Sequence, residues 1–346
     1  ILIGLLIGAV VIFISNSSEA LDGLRTLLAG PVEDGMLGIG RVLYYAVPII
    51  MTGLSVGFAF KTGLFNIGTP GQFIIGAFAA VYVGVKWTFL PGSIHWLVAI
   101  LAAFAAGGLW AVIPGVMKAY LNVNEVISSI MMNYIGMYLV NYSVSLVLFD
   151  ALRNQSLPVA STAVIPKMGF DKIFTGSPAN GGFVIAILFV ILIYIILNKT
   201  SFGYEMKACG FNKDASKYAG INEKRNIILS MVIAGALAGV GGGLLYLSGS
   251  GKFIEVVDVL PAEGFNGIPV ALLGLSNPIG VLFAGLFIAY LNVGGNAMQQ
   301  FGFIPQIVDI IISCIIYCSA LSLMIKVWLS KRRKTKELGT AKKEGE

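Results

Sequence analysis

Amide side chains recur inside the apolar runs of this sequence and where those runs are broken. Asn133 and Asn141 stand within one run, Asn292 and Asn296 within another, and Gln299 and Gln300 just beyond it; Asn66, Gln72 and Asn266 sit where runs are interrupted. An amide donates and accepts without the cost of a buried charge, which suits passage of a neutral, hydroxyl-rich solute. Taken singly, each amide equally suits hydrogen bonding between helices. Other chemistry is thinly supplied. One histidine (His95) and three cysteines (Cys209, Cys314, Cys318), with no Cys-x-x-Cys, are too few soft ligands for a zinc, haem or iron–sulfur site, so no metal and no cofactor are expected. The stretch nearest to a phosphate-binding loop is Ser248-Gly-Ser-Gly251-Lys252-Phe253. It has Tyr246 where the first glycine belongs and Phe253 in place of Ser or Thr. A nucleophile elbow is expected to be absent, and a single histidine leaves little for a catalytic triad.

Composition explains what must hold these groups. Of 346 residues, 57% are hydrophobic and 12% charged, about half the charge usual in a water-soluble domain. The fold class expected is all-α integral membrane, with about ten transmembrane helices of about 20 residues each. The run 1–14, which opens without methionine, reads as the remnant of a first helix, since a signal peptide needs a basic n-region. Nine further segments fall near 42–60, 66–85, 94–117, 126–149, 182–198, 228–247, 263–275, 278–296 and 305–327. The domain reading is a transmembrane permease domain over 1–327 and a basic cytoplasmic tail over 328–346. Cations are retained on the cytoplasmic side of short loops. With both termini in the cytoplasm, sixteen Lys/Arg lie inside (Lys61, Lys118, the six from Lys199 to Arg225, Lys326 and seven in the tail) and seven outside. That orientation makes 199–227 a cytoplasmic loop and 150–181, with Pro158, Pro166 and Pro178, the longest outer one.

Two segments are interrupted. Gly63-Leu-Phe-Asn66-Ile-Gly-Thr-Pro70-Gly-Gln72 and Gly264-Phe-Asn266-Gly-Ile-Pro269 place glycine and proline where a continuous helix forms poorly. Discontinuous helices near 63–72 and 263–269 are therefore expected, at membrane depth beside protein or a water-filled cavity. The alternative is a pair of surface loops. Five crossings separate the two sites, which fits an inverted repeat of segments two to five on seven to ten. Gly235-Ala-Leu-Ala-Gly239-Val-Gly-Gly-Gly243 offers overlapping Gly-x-x-x-Gly steps for close helix packing. Asp309 is the one carboxylate expected deep in a span, whereas an ion-driven carrier would more often show several. In the cytoplasmic loop, Asn212 is a credible N-cap and Gly220 a stop, so a helix of about two turns is expected. It is too short to persist alone and is suited to a partner's groove.

The most specific stretches are Phe60 to Gln72, Asn124 to Tyr134, Gly203 to Ile221 and Glu263 to Gly274. Through them the chain resembles the permeases of bacterial ABC importers in the ribose and branched-chain amino acid group, nearest to nucleoside-importer permeases. The family's usual Gly-Val-Glu-Gly-Gln is Gly68-Thr69-Pro70-Gly71-Gln72 here, without the acid. The resemblance implies a transport subunit of the bacterial cell (inner) membrane, with no ATPase of its own. It also implies the partners: a cytoplasmic ATP-binding subunit, a second permease subunit, an extracytoplasmic solute-binding lipoprotein and membrane lipid, with no nucleic acid. A loop including Glu205, Ala208, Gly210, Ala215, Ala219 and Gly220 would receive the ATPase's motion. Asn66, Gln72, Asn133, Asn266 and Asn292 are the expected lining of a nucleoside pathway. A ribose-type sugar permease is the nearer alternative, and a secondary carrier with inverted repeats the more distant.

Overall fold

The computed structural model describes residues 2–318 and residue 321. In chain order the helices are α1 (Leu2–Ser15), α2 (Ala20–Glu33), α3 (Gly35–Lys61), α4 (Thr69–Lys86), α5 (Gly92–Leu121) and α6 (Glu125–Val147). A hairpin of β1 (Phe149–Asp150) and β2 (Gln155–Ser156) follows, then α7 (Phe170–Ile173), α8 (Gly182–Lys199), α9 (Ser201–Phe211), α10 (Lys213–Tyr218) and α11 (Glu223–Tyr246). The chain continues through α12 (Ala262–Phe265), α13 (Gly267–Leu273), α14 (Pro278–Met298) and α15 (Gln306–Cys318).

These helices gather into two compact units. The smaller combines the described residues up to Leu28 with those from Gly294 onward. In it, Gly4 and Gly8 of α1 face Ile315 and Ile311 of α15, and Gly294 abuts the Leu27 carbonyl, so absent side chains permit close helix approach. The larger unit is Ala29–Val293. Its centre is α11, packed on α5, α4 and α3 through glycine. A Cβ on Gly239 would fall 2.4 Å from the Ala103 oxygen, and one on Gly76 2.3 Å from the Gly239 Cα. The Gly-x-x-x-Gly steps are thus a packing surface.

Among the described residues, six helices are long and apolar enough to cross a membrane. Buried shares of their apolar windows separate inner from outer helices: 89% for α3 and 78% for α11, against 33%, 33% and 28% for α5, α6 and α8. The outer three expose Leu101, Phe104, Leu109, Tyr138, Tyr142, Leu188 and Ile191, a face whose natural solvent is lipid.

Side-chain caps set several boundaries. Asn124, Thr200, Asn212 and Asn222 accept backbone N–H groups at the starts of α6, α9, α10 and α11, at 2.9–3.1 Å. Left-handed Asn122 ends α5, and Lys118 pairs with Glu125 at 2.8 Å across the α5–α6 turn. His95, buried, contacts Thr162 Oγ1 at 2.8 Å and the Val83 carbonyl at 3.1 Å. It braces α5 against α4.

Several expectations require correction. Helix α2 was not foreseen, because its Pro31, Asp22 and Arg25 dilute the apolar signal. In the 150–181 segment, Ala160 and Ile165 donate to the carbonyls of Gly84 and Leu247 at 2.9 Å, pinning it to the helix ends. Asp309 lies in the first turn of α15 and is exposed, at the start of that helix and not deep within it. The segment expected over 305–327 is described as helix to Cys318. The remainder, apart from residue 321, and the basic tail 328–346 lie outside the described residues.

Candidate translocation site

Helix α3 ends because Thr62 turns its hydroxyl onto the carbonyls of Phe58 and Ala59 (3.2 and 2.9 Å), and Gly63 follows with φ +75°. Residues 64–68 then run back without helical structure along buried protein. Helix α4 begins at Thr69 with Pro70 in its first turn, where no N–H is required. Proline therefore starts a helix here instead of breaking one. The interruption occupies 62–68, not 63–72.

Three expected pathway amides meet at this link. Asn66 Nδ2 donates to Gln72 Oε1 at 2.7 Å, and Gln72 Nε2 returns a bond to Asn66 Oδ1 at 3.0 Å. Asn66 also donates to Ser55 Oγ at 3.2 Å and accepts from the Gly68 N–H. From α6, Asn133 accepts the Gly71 N–H at 2.9 Å and donates to the Ile67 carbonyl at 3.0 Å. All three are at most 2% exposed. The network thus satisfies backbone groups that lipid cannot. Ser129 Oγ, buried next to Gly68, has no hydrogen-bond partner among the described residues.

The second interruption reaches the same place. Helices α12 and α13 meet at Asn266; a Cβ on Gly264 would lie 2.4 Å from Pro70 Cα, and one on Gly267 2.5 Å from the Thr52 carbonyl carbon. Asn266 is half-buried between α12 and α13, and Asn292 half-buried on α14; neither joins the network's hydrogen bonds. Asn141 braces a loop, donating to the Val257 carbonyl at 2.9 Å and to Asp258 at 3.2 Å. The Gly-x-Ser-x-Gly spacing does occur, at Gly53-Leu-Ser55-Val-Gly57, contrary to expectation. It lies inside α3, with no strand-to-helix turn, and Ser55 serves Asn66.

The 199–227 segment contains two helices where one was expected. Asn212 caps α10 and Gly220 turns at φ +79°, as the residue types suggest; α9, capped by Thr200, was not foreseen. Gly210 of α9 lies on the α3–α4 link. A Cβ there would be 2.5 Å from the Thr62 carbonyl carbon and 2.6 Å from the Gly63 nitrogen, and the Thr62 and Ser230 hydroxyls share a hydrogen bond. A cavity of about 130 Å³ opens between these elements, lined in part by Leu64, Met206, Cys209 and Asn226. Glu205 and Ala208 are half-buried, whereas Ala215, Ala219 and Gly220 are exposed. Sequence reasoning missed the aromatics on this surface: Tyr204, Phe211 and Tyr218 are 69%, 89% and 95% exposed. Aromatic residues in a charged, capped loop were the available signal.

The family described as branched-chain amino acid transport system / permease component matches residues 38–320. The chain belongs to this family. Like its relatives, the permease is a multi-pass membrane transport component and not itself an enzyme. It is 38% identical over 335 residues to the guanosine ABC transporter permease protein NupP of Bacillus subtilis (strain 168), covering 96% of this chain and 95% of that protein. With the nucleoside ABC transporter permease protein NupB of Lactococcus lactis subsp. cremoris (strain MG1363) it shares 34% identity over 351 residues, covering 100% and 96%. The glucose ABC transporter permease protein TsgB13 of Haloferax volcanii is 33% identical over 287 residues, covering 81% and 75%. No solved structure matches the permease.

Proposed function

We propose that the permease forms the membrane pathway of an ABC importer for nucleosides and takes its energy from a separate cytoplasmic ATP-binding subunit. The observation that carries this is likeness over nearly the whole chain to a guanosine permease and a nucleoside permease. A sugar is the second reading, favoured by the glucose permease relative. Uptake of tritiated guanosine and of labelled ribose or glucose, by cells expressing the complete importer, decides between them.

The pathway is assigned to the meeting point of the two interruptions. Asn66 and Gln72, bonded to each other, and Asn133, bonded to the Gly71 N–H and the Ile67 carbonyl, hold its wall closed, with Asn266 and Asn292 completing the lining. The free Ser129 hydroxyl and the contact of Gly264 with Pro70 support this assignment. In the open state the amides exchange mutual hydrogen bonds for bonds to solute hydroxyls. Ten crossings are assigned, adding α1, α4, the α12–α13 pair and α15 to the six apolar helices, with an inverted repeat and both termini in the cytoplasm. The basic asymmetry of the loops supports the orientation.

Coupling is assigned to α9 and α10. Phe211 and Tyr218 would enter a groove of the ATPase, with Ala215 and Ala219 allowing close approach and Gly220 setting the turn. Glu205, Ala208 and Gly210 would carry the motion through Gly63 to the amide network. A second permease subunit and an extracytoplasmic solute-binding lipoprotein complete the importer.

A further inference from the structure

Two adjoining cavities of about 320 and 330 Å³ lie where α11 ends, sharing Tyr246, Gly251, Lys252 and Phe253. Each is of the size that holds a small organic ligand. Their common wall is built before any ligand arrives. Ser156 N–H donates to the Ile254 carbonyl at 2.8 Å and Val256 N–H to the Asn154 carbonyl at 3.2 Å, so Gln155 and Glu255 stand opposite each other in an antiparallel bridge. Asn141 pins the next residue from α6. The floor is the start of α12, with Glu263 lining the cavity and Gly264 resting on Pro70. The cavity therefore stands directly over the meeting point of the two interruptions.

Its chemistry is specific. Phe253 and Tyr246 offer flat apolar surface, and Gln155, Glu255 and Glu263 offer acceptors. Lys252 lies 3.8 Å from Glu263, so one cation faces two carboxylates. A ligand here should have a flat ring and several N–H or O–H donors but no negative charge. A nucleoside meets all three conditions; a nucleotide fails the last and a free sugar the first.

We propose that this cavity is a nucleoside subsite at the mouth of the pathway, with the base stacked on Phe253 and its donors and the ribose hydroxyls directed to Gln155, Glu255 and Glu263. The assignment rests on the nucleoside reading above and adds where the permease first holds the solute. Its location also explains the Lys252–Glu263 pair: solute donors replace lysine at Glu263 as the nucleoside moves toward α12.

The test uses the purified importer without its binding protein, irradiated with tritiated 8-azidoguanosine. Label is expected in the peptide 246–263, displaced by guanosine but not by guanosine 5′-monophosphate or glucose. Phe253→Ala should reduce labelling about tenfold, the usual worth of one base–aromatic stack. The near-isosteric Glu255→Gln should also reduce it. Label elsewhere, or label indifferent to both variants, overturns the subsite. So does intact labelling accompanied by weakened capture of the purified binding protein, which would make this face a docking surface. If the unmodified importer takes up no guanosine, the nucleoside reading falls and the subsite with it; uptake with an unlabelled cavity removes the subsite alone.

Discussion

A single methyl group at Gly210 should uncouple the importer. In Gly210→Ala the new Cβ would stand 2.5 Å from the Thr62 carbonyl carbon and 2.6 Å from the Gly63 nitrogen. Carbon atoms rest at roughly 3.5–4.0 Å, so α9 and the α3–α4 link must part by about 1 Å. Both partners are backbone, and Gly63 sits at φ +75°, so no side chain can rotate away. Overpacking of this kind costs about 1–3 kcal/mol. At about 1.4 kcal/mol per tenfold, the seated position of α9 loses roughly five- to 150-fold in population. If α9 transmits ATPase motion only when seated, stimulation of ATP hydrolysis by loaded binding protein should drop about tenfold, and Gly210→Val should abolish it. The assay is ATP hydrolysis by the reconstituted importer with and without solute, alongside size-exclusion recovery of the intact complex. Full stimulation in Gly210→Val would refute transmission through this contact.

Lys172→Cys and Lys217→Cys, both at exposed positions, should label from opposite sides of the membrane in a cysteine-free background, Lys172→Cys from outside. Labelling from one side would end the ten-crossing assignment. Asn66→Leu should leave the Gln72 amide buried and unpaired, at about 1–3 kcal/mol, and lower both thermal stability and uptake; Asn66→Leu/Gln72→Leu should cost less stability than the two single changes added, which denaturation of the detergent-solubilised protein checks. Gly239→Val should push α11 from Gly107 and Gly76 and reduce recovery of folded permease severely, whereas Gly57→Ala, whose new Cβ would find no atom nearer than 3.5 Å, should leave recovery close to that of the unmodified protein, a contrast that expression and gel filtration report.

Long apolar helices were legible wherever hydrophobicity alone decides: α5, α6, α8 and α11 fall within a few residues of the runs seen in the sequence, and α3 ends as expected but starts earlier, at Gly35. Capping chemistry was legible for the same local reason, at Asn212 and Gly220. Partnership was not legible. Asn66 and Gln72 are close in sequence, yet nothing local says that they bond each other, or that Asn133 arrives from α6 to bond Gly71. Periodicity also cannot show that Pro70 opens a helix, because that depends on where the link from α3 turns. The cavity at the end of α11 escaped notice because Gln155 and Glu255 are a hundred positions apart and meet only through backbone pairing. Phe211 and Tyr218 look like ordinary apolar residues until the folded chain leaves them exposed.

The most direct test of the central claim is solute-dependent ATP hydrolysis in proteoliposomes holding the permease, its partner permease and the ATPase, with loaded binding protein added. Guanosine and other nucleosides should stimulate hydrolysis and accumulate inside, glucose and ribose should do neither, and omission of the ATPase should stop transport. Nucleoside transport at the unmodified rate without the ATPase would contradict the account, as would stimulation by sugars alone.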